Sequence, residues 1–296
     1  MVSLSECIPW MTVGLAEAVA IVTLNLCTII VFIRSRNLRK RSTYLVINLA
    51  VIDMFVGGAV VYNLFYALGI HCNLWNRHST EVGISRIITV LFRLFLFGSL
   101  INITIIALER VHATFCPFKH RVLSKWVYRL IIAVVWVTSG LVTTAYILLT
   151  QLNKLYYGRY FDITFIAICL LIICVSYASI VIKVRCGAQP EHHGATSREG
   201  KLTTTLLIVT VISLLLYLPY VMALCVLIIR GFVIFTSSSV FYHLYSALLV
   251  LCYSNSLVNP ILYAIRMPEY RSALLVFFSK RPQQQRQVAV FPLRDM

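Results

Sequence analysis

The chain has 296 residues, 60% of them apolar and 12% charged, with 26 Lys and Arg against 10 Asp and Glu for a formal charge of +16. Soluble domains run at about 45–50% apolar and about 25% charged, so a water-soluble globule is excluded and lipid is the solvent for most of this chain. The basic excess fits nucleic acid or loops facing an anionic membrane leaflet equally well, and the placement of the charges decides between them.

Seven stretches almost free of charge follow one another at 10–33, 44–70, 87–108, 130–149, 163–182, 202–229 and 240–265. Each is long enough to cross as a helix, which takes about 20 residues over roughly 30 Å of hydrocarbon. Barrel strands would alternate polar and apolar residues, and the run 206–216 does not. The expected fold is therefore an all-α membrane protein, a seven-transmembrane-helix bundle at 10–266 after a short segment 1–9. After the last span, 267–278 opens with Met-Pro-Glu, and Tyr270, Ala273, Leu274, Phe277 and Phe278 form one apolar stripe at helical spacing. That predicts a short amphipathic eighth helix lying along the membrane surface, followed by a Gln-rich tail at 279–296.

Counted by loop, Lys and Arg number five in 34–41, five in 110–129, four in 183–201 and six from 266 onward, against five on the other side. Twenty against five places the C-terminus in the cytoplasm and, after seven crossings, the N-terminus outside. Residues 1–9 carry no Lys or Arg and no cleavage-type site, so the first span is expected to direct insertion itself at the plasma membrane. Charge so distributed gives nucleic-acid binding no support and makes the lipid bilayer the partner. Of nine cysteines, seven lie in spans or on the cytoplasmic side, where thiols stay reduced; Cys7 and Cys72 face outside and can pair. The sequon Asn102-Ile103-Thr104 lies inside the third span, where it is inert.

A charged side chain deep in a span costs about 2.5–3.5 kcal/mol on insertion scales, so each needs a partner, water or a function. Such polar residues are few: Asn25 in the first span, Asp53 in the second, Arg93 and Ser99 in the third, Asn255 and Asn259 in the seventh. Asn255 and Asn259 share a face, as do Ser99 and Arg110. The resulting seam reads either as helix-to-helix hydrogen bonding or as a hydrated cation site on Asp53, whose oxygen donors suit a small hard cation. Three motifs are more specific. Glu109-Arg110-Val111 closes the third span, Tyr217-Leu218-Pro219 interrupts the sixth and Asn259-Pro260-Ile261-Leu262-Tyr263 closes the seventh. Each proline removes a helical hydrogen bond and marks a bend at which the cytoplasmic half can swing.

In this order, with Asn25, Leu49-Ala50-Asp53, Trp136 and Tyr177 between, the motifs resemble those of the rhodopsin-like (class A) G-protein-coupled receptors over all seven helices and the eighth. The resemblance implies that Glu109 and Glu199 hold Arg110 at rest. It further implies that helix six swings about Pro219 on activation while Tyr177 and Tyr263 turn inward, and that the opened cavity accepts the α-subunit of a heterotrimeric G protein. Asp53, Ser99, Asn255 and Asn259 match the family's sodium site, so the expected cofactor list is empty apart from an allosteric sodium ion.

The chain departs from that pattern in several places. The third-helix cysteine, twenty-five residues before Arg110, is Ser85 here, and the loop 150–158 has no cysteine to receive it. Cys169 stands for the fifth-helix proline, Tyr217 for the sixth-helix tryptophan and Ser213 for the phenylalanine below it. These losses are similar to the branch that holds melanocortin, cannabinoid and lysophospholipid receptors, and the stretch through Arg266 also fits the adenosine receptors. Amine receptors place an aspartate eighteen residues before Arg110, where this chain has Phe92; opsins need a lysine where it has Tyr253. The expected ligand is a small lipid, peptide or nucleoside-like molecule rather than a biogenic amine, contacting Phe92, Leu96, Tyr220 and Tyr253. Arg93 meets an anionic group of that ligand, snorkels toward the outer surface, or pairs with Glu17 or Asp162. The function expected is non-enzymatic, ligand-driven activation of a G protein. A receptor-like, non-signalling or constitutively active subunit is the alternative, and an ion or proton transporter, lacking a ladder of ionisable groups, is the third choice.

Overall fold

The computed structural model describes residues 3–35, 38, 43–64, 81–151, 155–186, 208, 211–213, 215–223, 225–226 and 239–279, less the side chains of 63, 81–86, 151, 155–156, 184–186, 241, 266 and 278–279. Its long helices are α1 (Leu4–Arg34), α2 (Thr43–Asn63), α3 (Glu81–Phe115), α4 (Lys125–Gln151), α5 (Leu155–Cys186), α6 (Val211–Ala223), α7 (Ser239–Arg266) and α8 (Pro268–Ser279). All but α6 and α8 are long and apolar enough to cross a membrane, and α6 is the described part of the sixth apolar stretch. This is the seven-helix bundle, and the chain is a multi-pass membrane protein.

The helices overrun the apolar windows because nothing stops them at the hydrocarbon edge. Helix α1 starts at Leu4, where the Glu6 carboxylate accepts the Ser3 amide at 2.8 Å and so satisfies one orphan N–H of the first turn. Helix α3, 35 residues long, reaches about 50 Å at 1.5 Å per residue and is the central post. It packs on α2, α4 and α5, while α7 closes the ring against α1 and α2. Close approach of α1 and α2 depends on Gly57, where an added Cβ would sit 2.8 Å from Val22 and 3.1 Å from the Ala18 carbonyl oxygen. Exposed leucines, isoleucines and valines cover the outside of the bundle, as lipid requires and water would not permit at this density.

One end is pinned by aromatic packing. Tyr270 of α8 is 2% exposed, shares a hydrogen bond of 2.8 Å with Thr28 of α1, and packs on Phe32 at 5.4 Å and Tyr263 at 6.2 Å between ring centroids. Burial holds the Tyr270 phenol above its ordinary pKa. The apolar stripe of α8 thus turns partly into the bundle, with Leu275 and Val276 left outward.

Candidate functional site

At the far end of α3 the Glu109 carboxylate is divided between two sets of donors. Arg110 gives its Nε and Nη2 hydrogens to Oε2, while Oε1 meets Nε2 of His120 at 2.7 Å and the Tyr128 hydroxyl at 3.1 Å. Glu109 and Arg110 are both more than nine-tenths buried. A break in the helix at Cys116 and a proline at the first position of the short helix Pro117–Val122 fold His120 back onto α3. Its ring also lies near that of His112, tilted at 53° with centroids 5.8 Å apart, and Tyr128 contacts it from α4 at 3.1 Å. Sequence reasoning missed His120 and Tyr128, for which the only signal was a histidine just past the helix-breaking proline. Glu199 lies outside the described residues.

Tyr177, Tyr217 and Tyr263 are buried in the same core. The Tyr263 hydroxyl has no partner among the described residues. Pro219 lies two residues after Tyr217 on α6, and Pro260 lies inside α7.

In mid-bundle, Asp53 is fully buried. Its Oδ1 accepts from Ser99 at 2.7 Å and Ser256 at 2.8 Å, and its Oδ2 accepts from Asn259 at 2.8 Å. The structure therefore brings three of the four expected cation-site residues together and adds Ser256. Asn255 is turned elsewhere: its amide reaches the Tyr217 hydroxyl at 3.4 Å, a long contact. The side-chain oxygens of Asn255 and Asn259 are buried without a hydrogen-bond partner among the described residues. The Asp53 carboxylate, the Ser99 and Ser256 hydroxyls and the open Asn259 oxygen form a donor set fit for a small hard cation. Elsewhere the seam does act as glue between helices. Asn25 donates to the Ser256 carbonyl oxygen at 3.0 Å, and Asn48 links Asn102 at 2.9 Å with Trp136 at 3.1 Å.

Toward the opposite end, Arg93 donates to Asp162 of α5 at 2.7 Å and to the Tyr146 hydroxyl of α4 at 3.1 Å, its guanidinium lying 4.4 Å from the centre of the Tyr146 ring. Of the readings open for Arg93, pairing with Asp162 is the one present. Phe92 meets Tyr253 edge-on at 5.7 Å between centroids, while Leu96 and Tyr220 pack into the main core. Cys7 is fully buried and disulfide-bonded; Cys72 lies outside the described residues. Asp53 is not the only acid inside the bundle, because Glu17 of α1 is buried too, one carboxylate oxygen accepting from Ser254 of α7 at 2.7 Å. The sequence offered Glu17 only as a possible partner of Arg93; its contact with Ser254 of α7 carries no sequence signal.

The profile of the family described as "7 transmembrane receptor (rhodopsin family)" matches residues 24–263. The chain is also similar to histamine H2 receptors. It is 27% identical to that of Canis lupus familiaris over 276 residues, covering 84% of this chain and 73% of that receptor. With the receptor of Homo sapiens it shares 25% over 282 residues, 83% and 73% of the two chains, and with that of Rattus norvegicus 25% over 314 residues, 93% and 82%.

Proposed function

The chain belongs to the rhodopsin family of seven-transmembrane receptors, and from that membership we propose how its own residues carry signalling. The family is one of receptors, and the role proposed for this member is that of a G-protein-coupled transducer. The branch suggested by Ser85 and Cys169 gains no support from relatives that are histamine receptors. The proposed orientation follows the basic residues, with the Arg110 end in the cytoplasm, the Cys7 end outside and the plasma membrane as the site of action.

The observation that carries the mechanism is the shared Glu109 carboxylate. At a partly dry edge, its pairs with Arg110 and His120 favour the closed arrangement, and an agonist or G protein shifts the equilibrium only by binding the open one better. Opening frees Arg110, swings α6 about Pro219, lets Tyr177 and Tyr263 turn into the space and admits the α-subunit of a heterotrimeric G protein, with Glu199 as a second resting partner of Arg110. Expressed in membranes with purified G proteins, the parent is expected to accelerate guanine-nucleotide exchange, and Arg110→Ala to lose most of that acceleration at equal surface expression. An Arg110→Ala variant as active as the parent overturns the mechanism. A constitutively active variant of the same scheme is favoured by the toggle position, where Tyr217 and Ser213 replace larger aromatic groups.

We further take Asp53, Ser99, Ser256 and Asn259, with the open oxygen of Asn255, as the place of a sodium ion that brakes activation. Raising sodium at constant ionic strength should lower basal exchange, and Asp53→Asn should remove that dependence; a sodium response that survives the substitution excludes Asp53 as the ligand. For the ligand itself, Phe92 argues against an amine held at the usual third-helix position, yet the relatives are receptors named for an amine. The proposed class is therefore a small molecule entering among Phe92, Leu96, Tyr220 and Tyr253, with amines kept in view. Cys72 is the proposed partner of Cys7, tying the N-terminus to the first outer loop.

A further inference from the structure

Glu17 is the described acid inside the bundle that has neither a basic partner nor a filled set of donors. Glu109 faces Arg110, Asp162 faces Arg93, and Asp53 accepts three hydrogen bonds. Glu17 is 7% exposed; its Oε1 accepts from Ser254, and its Oε2 is buried with no partner among the described residues. It lies on the buried stripe of α1 that also carries Gly14, Ala18, Ile21 and Asn25, so it points at α2 and α7 and away from lipid. A carboxylate placed there is costly unless something neutralises it. The lining next to it is apolar and aromatic: Ala18 and Ile21 pack with Val56, Val60 and Tyr253, and Phe92 lies against Tyr253.

Building on the receptor reading above, we infer that Glu17 is the counter-charge of a ligand site between α1, α2 and α7 that takes a small molecule bearing a protonated amine on an aromatic or apolar body. An ammonium group brings several N–H donors and the charge the open oxygen lacks, and the Tyr253 and Phe92 rings offer the body a contact and the cation a π face. A bare metal cation would find few oxygens here and much hydrocarbon. The site's counter-charge is carried by α1, while the usual third-helix aspartate position is filled by Phe92. It therefore reconciles similarity to amine receptors with the absence of that acid.

The test uses the full-length receptor in detergent and reads its thermal unfolding midpoint against three probes of one shape but different charge: 2-phenylethylamine, 2-phenylethanol and phenylacetate, with histamine and sodium chloride as further arms. The amines are expected to raise the midpoint of the parent in a saturable way, with the alcohol, the acid and sodium giving no saturable rise through this site. Glu17→Gln, which keeps shape and the Ser254 contact, should weaken the amine response by about tenfold or more, the scale of a charge-assisted hydrogen bond. Ser254→Ala, which leaves the charge in place, should retain it. An amine response unchanged in Glu17→Gln, an equal response to the alcohol, or no response of the parent to any amine overturns the inference. Basal nucleotide exchange measured on the same preparations stands or falls with the Arg110 mechanism instead, so the two failures are separable.

Discussion

Glu109→Gln is expected to raise basal nucleotide exchange several-fold while Arg110 stays in place. Glutamine keeps the length of the side chain and one acceptor oxygen, so packing at this edge is preserved. What disappears is the negative charge that holds Arg110 on one oxygen and His120 on the other. Hydrogen bonds to charged groups are worth about 1.5–3 kcal/mol, and part of that loss falls on the closed state alone, because in the open state Arg110 is meant to face the G protein. Since about 1.4 kcal/mol is tenfold in an equilibrium constant, the open fraction should rise by roughly tenfold at most, and less if Arg110 finds Glu199. The measurement is agonist-free exchange in membranes matched for receptor number. His120→Ala should move the same readout in the same direction but less, because its ring is 20% exposed and only one of the two oxygens is released. Basal exchange at or below the parent level in Glu109→Gln would mean that the carboxylate does not lock the resting state.

The difference between Glu109 and His120 shows where the sequence was legible. Glu109 and Arg110 are adjacent in the chain and sit in a motif whose order along the sequence is itself the signal, so their pairing was readable without coordinates. His120 reaches Glu109 only because the helix breaks at Cys116 and a six-residue helix folds back, where its ring meets the Tyr128 hydroxyl. The number and order of the spans were likewise written in the hydrophobic runs, while helix ends were not: α1 begins at Leu4 because of the Glu6 contact to Ser3, a local effect no hydropathy window contains. In mid-bundle, Asp53, Ser99 and Asn259 were grouped by the family resemblance, helical spacing alone pairing only Asn255 with Asn259 and Ser99 with Arg110. Ser256 and the actual direction of Asn255 were not legible, since they depend on the rotation of α7 against α2 and on the Tyr217 hydroxyl that the Asn255 amide meets. Arg93 had three readings of similar merit from sequence. Only the relative rotation of α3, α4 and α5 selects Asp162.

Asp162→Ala is expected to be among the most damaging single substitutions in the outer half of the bundle. The Arg93 and Asp162 side chains are 19% and 4% exposed and bonded at 2.7 Å. Removing one partner of such a pair strands the other charge, which typically costs about 3–5 kcal/mol. The Tyr146 hydroxyl and ring remain beside the guanidinium and should hold the loss toward the lower end of that range. Replacing both partners, Arg93→Leu with Asp162→Leu, should recover most of the loss, because two apolar residues of similar volume owe no desolvation to lipid surroundings. Thermal unfolding in detergent of the two singles and the double closes the cycle. A single that melts with the parent, or a double worse than either single, rejects the pair as a brace. The physical reason to expect a brace here is Ser85: two helical turns above Arg93, α3 lacks the cysteine by which the family fastens this helix to its outer loop. With that covalent tie gone, the Arg93 contacts to Asp162 and Tyr146 join α3 to α5 and α4 by hydrogen bonds and an ion pair, which is the connection expected to hold the three helices in register.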